Sequence, residues 1–375
     1  MKVLTAQSQP LELDKKDWRI LKELILNIRQ PISHIAKKCL LSRQSVEYRI
    51  KQMQDKKLII GSRAVIHIRK LGYKSYHVFM EVHAPQQETE ILNRALKAPF
   101  VNAILVYSGK YNLEISIMAR NEEEFLNYYQ QLIDKIELRD DRILVLLNTI
   151  CSEVLPSQYF PLMSELSMEK EKIKQKRVGS TINSTESNRN NNYNNKSNNI
   201  DKLDLHILFA LSQDALRTNL SLGKELKVSK DTIQYRLNKM ESSRLIVQYR
   251  PVVNYAALGL AIKSILIKLN YTSSGNIQFE KYLQNNGSVL WATKTMGDYD
   301  YLIYVISQNL DEFHELINNI KEQFSNIIKT YEILFAYEEL KYNFMADSMV
   351  ENSPKSSHKN LTQNETPNRS RAAGY

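Results

Sequence analysis

The segment LDKKDWRILKEL, which begins at Leu13, recurs as IDKLDLHILFAL, which begins at Ile200. The two stretches align without a gap at an offset of 187 residues, from residues 14–72 onto residues 201–259, and 17 of these 59 positions are identical. A later pair of glycines, Gly109 and Gly297, matches at an offset of 188. Repetition at a fixed distance is typical of a duplicated structural unit. We therefore predict two copies of one two-part unit in tandem.

The first part of each unit has the pattern of a winged helix-turn-helix. Helical spacing of apolar residues predicts a first helix, and Pro31 is suited to the first turn of a second. Ser42 is a suitable N-cap for a third helix, SRQSVEYRIKQMQDKK, as Ser229 is in the second copy. The alternation in LIIGSRAVIHI, around Gly61 and Ser62, predicts a short two-stranded wing. We assign these domains to residues 13–72 and 200–259.

The outer face of the third helix carries hydrogen-bonding side chains, as a recognition helix in a DNA major groove would. Arginine and glutamine can make bidentate contacts to guanine and adenine. The candidates for base reading are Arg43, Gln44, Ser45, Tyr48 and Arg49 in the first copy, and Lys230, Thr232, Gln234 and Arg236 in the second. The candidates for phosphate contact are Lys37, Lys38, Lys56, Lys57 and Arg63.

Positive charge is concentrated in the first copy. The whole chain of 375 residues has 51 Lys and Arg against 41 Asp and Glu, a formal net charge of +10. Residues 14–72 have 15 basic and 5 acidic side chains, or +10, whereas residues 201–259 have 9 and 6, or +3. Asp231 also stands where an acidic side chain would face phosphates. We expect two unequal DNA readers. The second copy either contacts DNA or serves as a scaffold.

The second part of each unit, at residues 73–163 and 260–343, reads as β-α-β-β-α-β, the order of a ferredoxin-like sandwich. The predicted fold class is therefore α+β, with a winged helix-turn-helix followed by a ferredoxin-like sandwich in each copy. The sandwich is predicted to bind an effector or to assemble with another sandwich. Between the units, residues 164–199 are rich in asparagine and serine and are predicted to form a flexible linker. The tail at residues 351–375 is predicted to be disordered.

Several classes of protein are disfavoured by the sequence. Two cysteines exclude a disulfide framework or a cysteine-rich zinc site. No apolar run approaches the roughly 18 residues of a membrane span, and the N-terminus lacks the apolar core of a signal peptide. The seven histidines show no metal-binding spacing, and no glycine-rich phosphate loop is present. We predict a soluble cytoplasmic protein with no catalytic residues, no metal and no cofactor.

These motifs, in this order, resemble the Lrp/AsnC (feast/famine) transcription regulators. The resemblance rests on LDKKDWRIL, SRQSVEYRIKQMQDKKLI and KLGY in the first copy, and on DKLDLHIL, SKDTIQYRLNKMESSRLI, VVNYAALGL and TMGDYDYLIYV in the second. It implies that the helix-turn-helix binds double-stranded operator DNA and that the sandwich self-associates and often senses an amino acid or related metabolite. It also implies an effector site at the loop Gly297, Asp298, Tyr299 and Asp300. The first copy reads Gly109-Lys110-Tyr111-Asn112 there, without either acidic residue, which argues against ligand binding by that copy.

The leading prediction is a sequence-specific transcriptional regulator. Modulation by an amino acid or small metabolite is left open. Siroheme decarboxylases resemble the same two-domain plan, so an enzyme is the first alternative. The candidates for a tetrapyrrole pocket, Arg69, His77 and His83, form no motif. A nonspecific architectural DNA-binding protein is the second alternative. The two copies could pair as a pseudo-dimer within one chain, or between chains.

Overall fold

The structure is a computed structural model that describes residues 10–160, 200–270 and 273–350. The predicted linker, residues 164–199, and the predicted tail, residues 351–375, lie outside the described residues. In the first copy the helix-turn-helix consists of α1 (Lys15–Leu26), α2 (Ile32–Cys39) and α3 (Arg43–Asp55). Asp14 caps α1 in a capping box with Asp17, and Ser42 caps α3 by accepting a hydrogen bond from the amide of Ser45.

The second copy repeats this layout with α6 (Lys202–Gln213), α7 (Asn219–Leu226) and α8 (Lys230–Ser242). Asp201 caps α6 and Ser229 caps α8, as Asp14 and Ser42 do in the first copy. The apolar faces of both helix sets merge into one continuous core, in which Ile35 and Val46 of the first copy share a cluster with Leu222 and Ile233 of the second. The two helix-turn-helix units are therefore packed as one body.

The wing differs from the prediction. No hairpin forms around Gly61 and Ser62, because β1 (Ile59–Ile66) is a single continuous strand. Its partner is β6 (Ile246–Val253) of the other copy, to which it pairs antiparallel with Arg63 opposite Arg250. The alternation of the sequence correctly indicates a strand, but the strand satisfies its backbone hydrogen bonds across the two copies. We call this two-stranded sheet the wing ribbon.

The two sandwiches have the predicted β-α-β-β-α-β order. The first contains β2 (Lys74–Glu81), α4 (Pro85–Lys97), β3 (Val101–Ser108), β4 (Leu113–Ala119), α5 (Glu122–Ile133) and β5 (Asp140–Ser152). The second contains β7 (Ala261–Leu269), α9 (Ser273–Asn285), β8 (Val289–Gly297), β9 (Tyr301–Ser307), α10 (Leu310–Phe324) and β10 (Ile328–Tyr342). The α+β fold of two helix-turn-helix and ferredoxin-like units is confirmed.

The two four-stranded sheets join into one closed barrel, in the order β10-β3-β4-β2-β5-β8-β9-β7. The seams are symmetric: β5 of the first copy pairs with β8 of the second, and β10 of the second pairs with β3 of the first. The outer faces of the sheets pack on their own helices in two separate cores. The inner faces meet in a third core, which includes Phe79, Leu105, Leu266 and Leu302. Sheet closure leaves no unpaired edge strand in the barrel.

Candidate nucleic-acid interface

The N-terminal half of α3 presents an open polar face. Arg43, Gln44 and Tyr48 are exposed, with 65% of the Tyr48 surface accessible. None of these three side chains makes a hydrogen bond or an ion pair within the described residues. Ser45 lies on the same turn but is half-buried, and its amide is used by the Ser42 cap. Unengaged donors and acceptors at the start of an exposed helix are available to base edges.

Arg49 has another role than the predicted base reading. Its guanidinium lies 2.8 Å from Asp14 Oδ2 and 2.7 Å from Asp17 Oδ1, at the N-terminus of α1. Hydrogen bonding to Asp17 and Asp14, which outweighs partial burial, raises the pKa of Arg49. The arginine therefore ties α3 to α1, and its base contact stays a prediction.

Arg236 repeats this arrangement in the second copy, and its base contact likewise stays a prediction. The guanidinium lies 2.6 Å from Asp201 Oδ2 and 3.1 Å from Asp204 Oδ2. Asp204 is completely buried, so it depends on this arginine more than an exposed carboxylate would. In both copies this arginine joins the third helix to the N-terminus of the first, a contact that the sequence pattern alone does not reveal.

The polar face of α8 is more engaged than that of α3. Gln234 donates to Asn238 Oδ1 at 2.8 Å and accepts from Asn219 Nδ2 at 2.7 Å. The hydroxyl of Thr232 lies 2.9 Å from that of Ser229. Lys230 is exposed but is followed by the exposed carboxylate of Asp231. The second face thus offers fewer free groups and less positive charge than the first.

The predicted phosphate contacts separate into four lysines and one arginine. Lys37, Lys38, Lys56 and Lys57 are all exposed around α2 and the end of α3, although Lys38 Nζ lies 2.7 Å from Glu23 Oε2. Arg63 differs from the lysines. It lies within the wing ribbon and donates to the carbonyls of Ser62 and Gln213, and burial lowers its pKa. Because β1 pairs with the other copy, this side chain is partly buried at the junction of the units, and its phosphate contact stays a prediction.

Contacts that the sequence did not reveal fix the two readers relative to one another. Arg29 donates to Ala215 O at 3.0 Å, and Gln248 donates to Ile25 O at 2.8 Å. The Ile28 amide also donates to Tyr249 O at 3.0 Å. Backbone acceptors carry no residue identity, so no motif marks these contacts. Together with the wing ribbon they set one separation between α3 and α8.

The predicted effector loop is largely committed to internal contacts. Asp300 Oδ2 accepts from the Leu269 amide at 2.8 Å, and the Tyr299 carbonyl accepts from Thr295 Oγ1 at 2.7 Å. Tyr299 itself is buried. Asp298 is exposed and lies 3.5 Å from Arg142 of the first copy. In the first copy Asn112 Oδ1 accepts from the backbone amide of Val82 at 2.8 Å. The side chain of Asn112 therefore takes the structural place of the Asp300 carboxylate.

Gly297 also has a structural requirement at this loop. Its φ is +141°, and a Cβ there would lie 2.3 Å from the carbonyl of Ile143 on β5. The glycine allows β8 to approach β5 at one barrel seam, and Gly109, with φ of +148°, is placed similarly near Leu334 at the other. The effector site at Gly297, Asp298, Tyr299 and Asp300 stays a prediction.

Within residues 10–160, 200–270 and 273–350, the structure has no group of three or more His, Cys, Asp or Glu placed to hold a metal ion. No helix in these ranges is long and apolar enough to cross a membrane. The tetrapyrrole candidates are each engaged separately. Arg69 donates to Leu147 O at 2.6 Å, His77 is buried beside Glu114, and exposed His83 lies 2.8 Å from Glu81 Oε1.

Comparison with known proteins shows that both helix-turn-helix units are similar to one domain type. The AsnC-type helix-turn-helix domain matches residues 13–54 and again residues 200–241. An uncharacterized HTH-type transcriptional regulator of Haemophilus influenzae is 28% identical over 138 residues, which are 36% of this chain and 82% of that protein. The HTH-type transcriptional regulator LrpA of Pyrococcus horikoshii is 29% identical over 125 residues, 33% of this chain and 89% of that protein. Each relative corresponds in length to about one of the two copies.

Among solved structures, the siroheme decarboxylase NirDL matches 88% of this chain and 93% of its own, with a TM-score of 0.54 and 16% sequence identity. At this identity the likeness is one of fold alone. It extends over both copies.

Proposed function

We propose that this chain, in which two segments match the AsnC-type helix-turn-helix domain, is a sequence-specific DNA-binding transcriptional regulator in which the first helix-turn-helix supplies most of the base reading. The observation that carries the proposal is the open face of α3, where Arg43, Gln44 and Tyr48 are exposed and unengaged within the described residues. Arginine and glutamine in such a position recognise guanine and adenine by paired hydrogen bonds.

Three features support an unequal pair of readers. The first unit carries more positive charge than the second, and phosphate neutralisation provides most of the sequence-independent affinity for DNA. Gln234 on α8 is held by two asparagines. Asp231 adds a negative charge beside Lys230. We therefore assign direct reading mainly to Arg43, Gln44 and Tyr48, and a supporting contact to Lys230 and Thr232.

The repeat offers a matched pair of variants, because Arg43 and Lys230 occupy the same position directly after their N-cap serines. Arg43→Met should reduce the affinity ratio between the operator and a scrambled duplex by about tenfold or more, the effect expected for one bidentate base contact. Lys230→Met should reduce the same ratio by less than about threefold. Fluorescence anisotropy with labelled duplexes, at one fixed salt concentration, measures both ratios.

The controls separate specific from general losses. Circular dichroism spectra and thermal unfolding of both variants should match the parent, since both side chains are exposed. Equal losses for Arg43→Met and Lys230→Met would contradict the unequal readers. Equal binding to operator and scrambled duplexes by the parent protein would instead favour an architectural DNA-binding role.

The fold likeness to a siroheme decarboxylase makes an enzyme the second candidate. We favour a protein without catalytic activity, since the similar sequences are regulators and Arg69, His77 and His83 are engaged at separate places. Titration of the protein with siroheme tests this directly. We expect no change in the Soret band. A saturable shift at stoichiometric siroheme would favour the enzyme.

A further inference from the structure

The inner core of the barrel contains a buried charged group that both halves of the chain help to hold. Glu114 on β4 is completely buried. Within the first half, His77 Nδ1 lies 2.5 Å from its Oε1, and the hydroxyl of Tyr107 donates to its Oε2. The second half supplies the hydroxyl of Tyr304, which donates to Oε1. A buried carboxylate without such donors would be costly, so Tyr304 contributes to holding a group that belongs to the other half.

The side chains around Glu114 are not related by the symmetry of the repeat. At one register position, β8 and β9 of the second half carry the large pair Trp291 and Tyr304. The equivalent register position on β3 and β4 of the first half carries the small pair Ala103 and Ser116. Trp291 and Tyr304 stack on one another at 5.3 Å, and Trp291 also lies over His77 of the first half at 6.4 Å. The second half therefore contributes both the hydroxyl that reaches Glu114 and the ring that lies over His77.

Pairing of the first half with another first half would disrupt this layer. Ser116 would take the place of Tyr304 opposite Glu114, and its short hydroxyl side chain would not restore the same contact. Ala103 would take the place of Trp291. Two Glu114 carboxylates would be buried in one layer, and neither would receive the hydrogen bond that Tyr304 donates, which is costly.

Pairing of the second half with another second half would also break these contacts. Ser264 stands at the repeat position of His77, so Trp291 would lose the ring over which it lies. Leu302 stands at the repeat position of Glu114, on the inner face of β9. Each Tyr304 hydroxyl would then lack the buried carboxylate that accepts its hydrogen bond.

We propose that this layer makes the two halves obligate complements: the sheet of the first half accepts only the sheet of a second half, and neither half pairs with itself. The specificity comes from the Glu114 carboxylate of one half, which accepts a hydrogen bond from Tyr304 of the other, and from the ring contact between Trp291 and His77. As a consequence, every barrel carries one helix-turn-helix of each kind. The rule applies equally to pairing within a chain and to pairing between two copies of the chain.

Pairing preference can be measured on the full chain after it has folded. A protease site inserted within residues 164–199 allows the two halves to be separated covalently after purification. Isotope-labelled and unlabelled cleaved proteins are then mixed, and the urea concentration is raised until label exchange between them is complete. Native mass spectrometry then counts the dimers of each composition. Label exchange shows that the halves have dissociated and found new partners. We expect dimers of a first half with a second half to exceed dimers of two first halves, or of two second halves, by at least about a hundredfold.

Two variants connect the preference to the layer, and one serves as the control. Tyr304→Phe keeps the ring and removes the hydroxyl that reaches Glu114, so the preference should fall by about tenfold. Glu114→Gln removes the charge and should also weaken it. Glu123→Gln, the same change at an exposed position on α5, should leave it unaltered.

A statistical distribution for the parent protein, in which about half of the dimers contain one first half and one second half, would overturn the proposal. So would a preference that survives unchanged in both Tyr304→Phe and Glu114→Gln. DNA is absent from the measurement, so either result leaves the proposed DNA binding to its own test.

Discussion

Removal of Arg49 should affect the stability of the protein and leave its DNA preference intact. The guanidinium contacts Asp14 and Asp17 at 2.8 and 2.7 Å, with side-chain exposures of 22%, 53% and 20% for the three residues in that order. An exposed ion pair contributes less than about 1 kcal/mol, whereas a hydrogen bond to a charged group contributes about 1.5–3 kcal/mol. Because solvent screens the Asp14 contact, we expect Arg49→Met to lower the free energy of unfolding by about 1–2 kcal/mol.

Urea unfolding followed by circular dichroism measures this loss, and Arg43→Met provides the control. Arg43 carries the same charge on the exposed face of the same helix, so its replacement should change stability by less than about 0.5 kcal/mol. Arg236→Met should be more costly than Arg49→Met, because its partner Asp204 is completely buried. If Arg49→Met kept full stability and lost the preference for operator over scrambled DNA, Arg49 would be a base reader and our assignment would be refuted.

Three further outcomes follow from individual side chains. Burial and the neighbouring Glu114 raise the pKa of Glu339 to about 8 from its ordinary 4.5, so the folded state binds more protons in this window and stability falls as the pH rises through it. Glu339→Gln should remove that slope, at most about 1.4 kcal/mol per pH unit, in urea titrations from pH 5 to 8; an unchanged slope would argue against it. Leu40 is left-handed (φ +56°) and 85% exposed, so Leu40→Gly should raise stability by about 0.5–1 kcal/mol in thermal unfolding, and a loss would count against relief of strain. Lys57→Ala should weaken binding to all duplexes alike and reduce the slope of log affinity against log salt by about 0.9; a loss confined to the operator would contradict a phosphate contact.

The sequence predicts the elements of this protein better than it predicts their partners. Capping serines, apolar spacing and the repeat identify both helix-turn-helix units and both sandwiches, because these signals are local. The alternation of residues 58–68 also identifies a strand, but an alternating strand shows only which face is buried. The structure pairs it with β6 of the other copy. Arg63, which the sequence predicts to be an exposed wing residue, is therefore partly buried.

The same limit applies to the recognition helices. Helical spacing correctly places Arg43, Gln44 and Tyr48 on an exposed face. It places Arg49 on that face as well, because position on a helix does not reveal that Asp17 lies within reach from another helix. The loop at Gly297 shows a related case, in which the need for a glycine comes from the close approach of β5. Long-range packing decides these roles, and one sequence does not display it.

Selection of random duplexes by the purified protein, followed by binding of the winner and a scrambled control across a salt series, tests the central claim most directly. Our account predicts a preferred motif with a specificity ratio of about 10³ or more. Because the two readers are fixed relative to one another, the motif should contain one strong half-site and one weak half-site at a single spacing. Equal and steeply salt-dependent binding to both duplexes would contradict sequence-specific regulation by this protein.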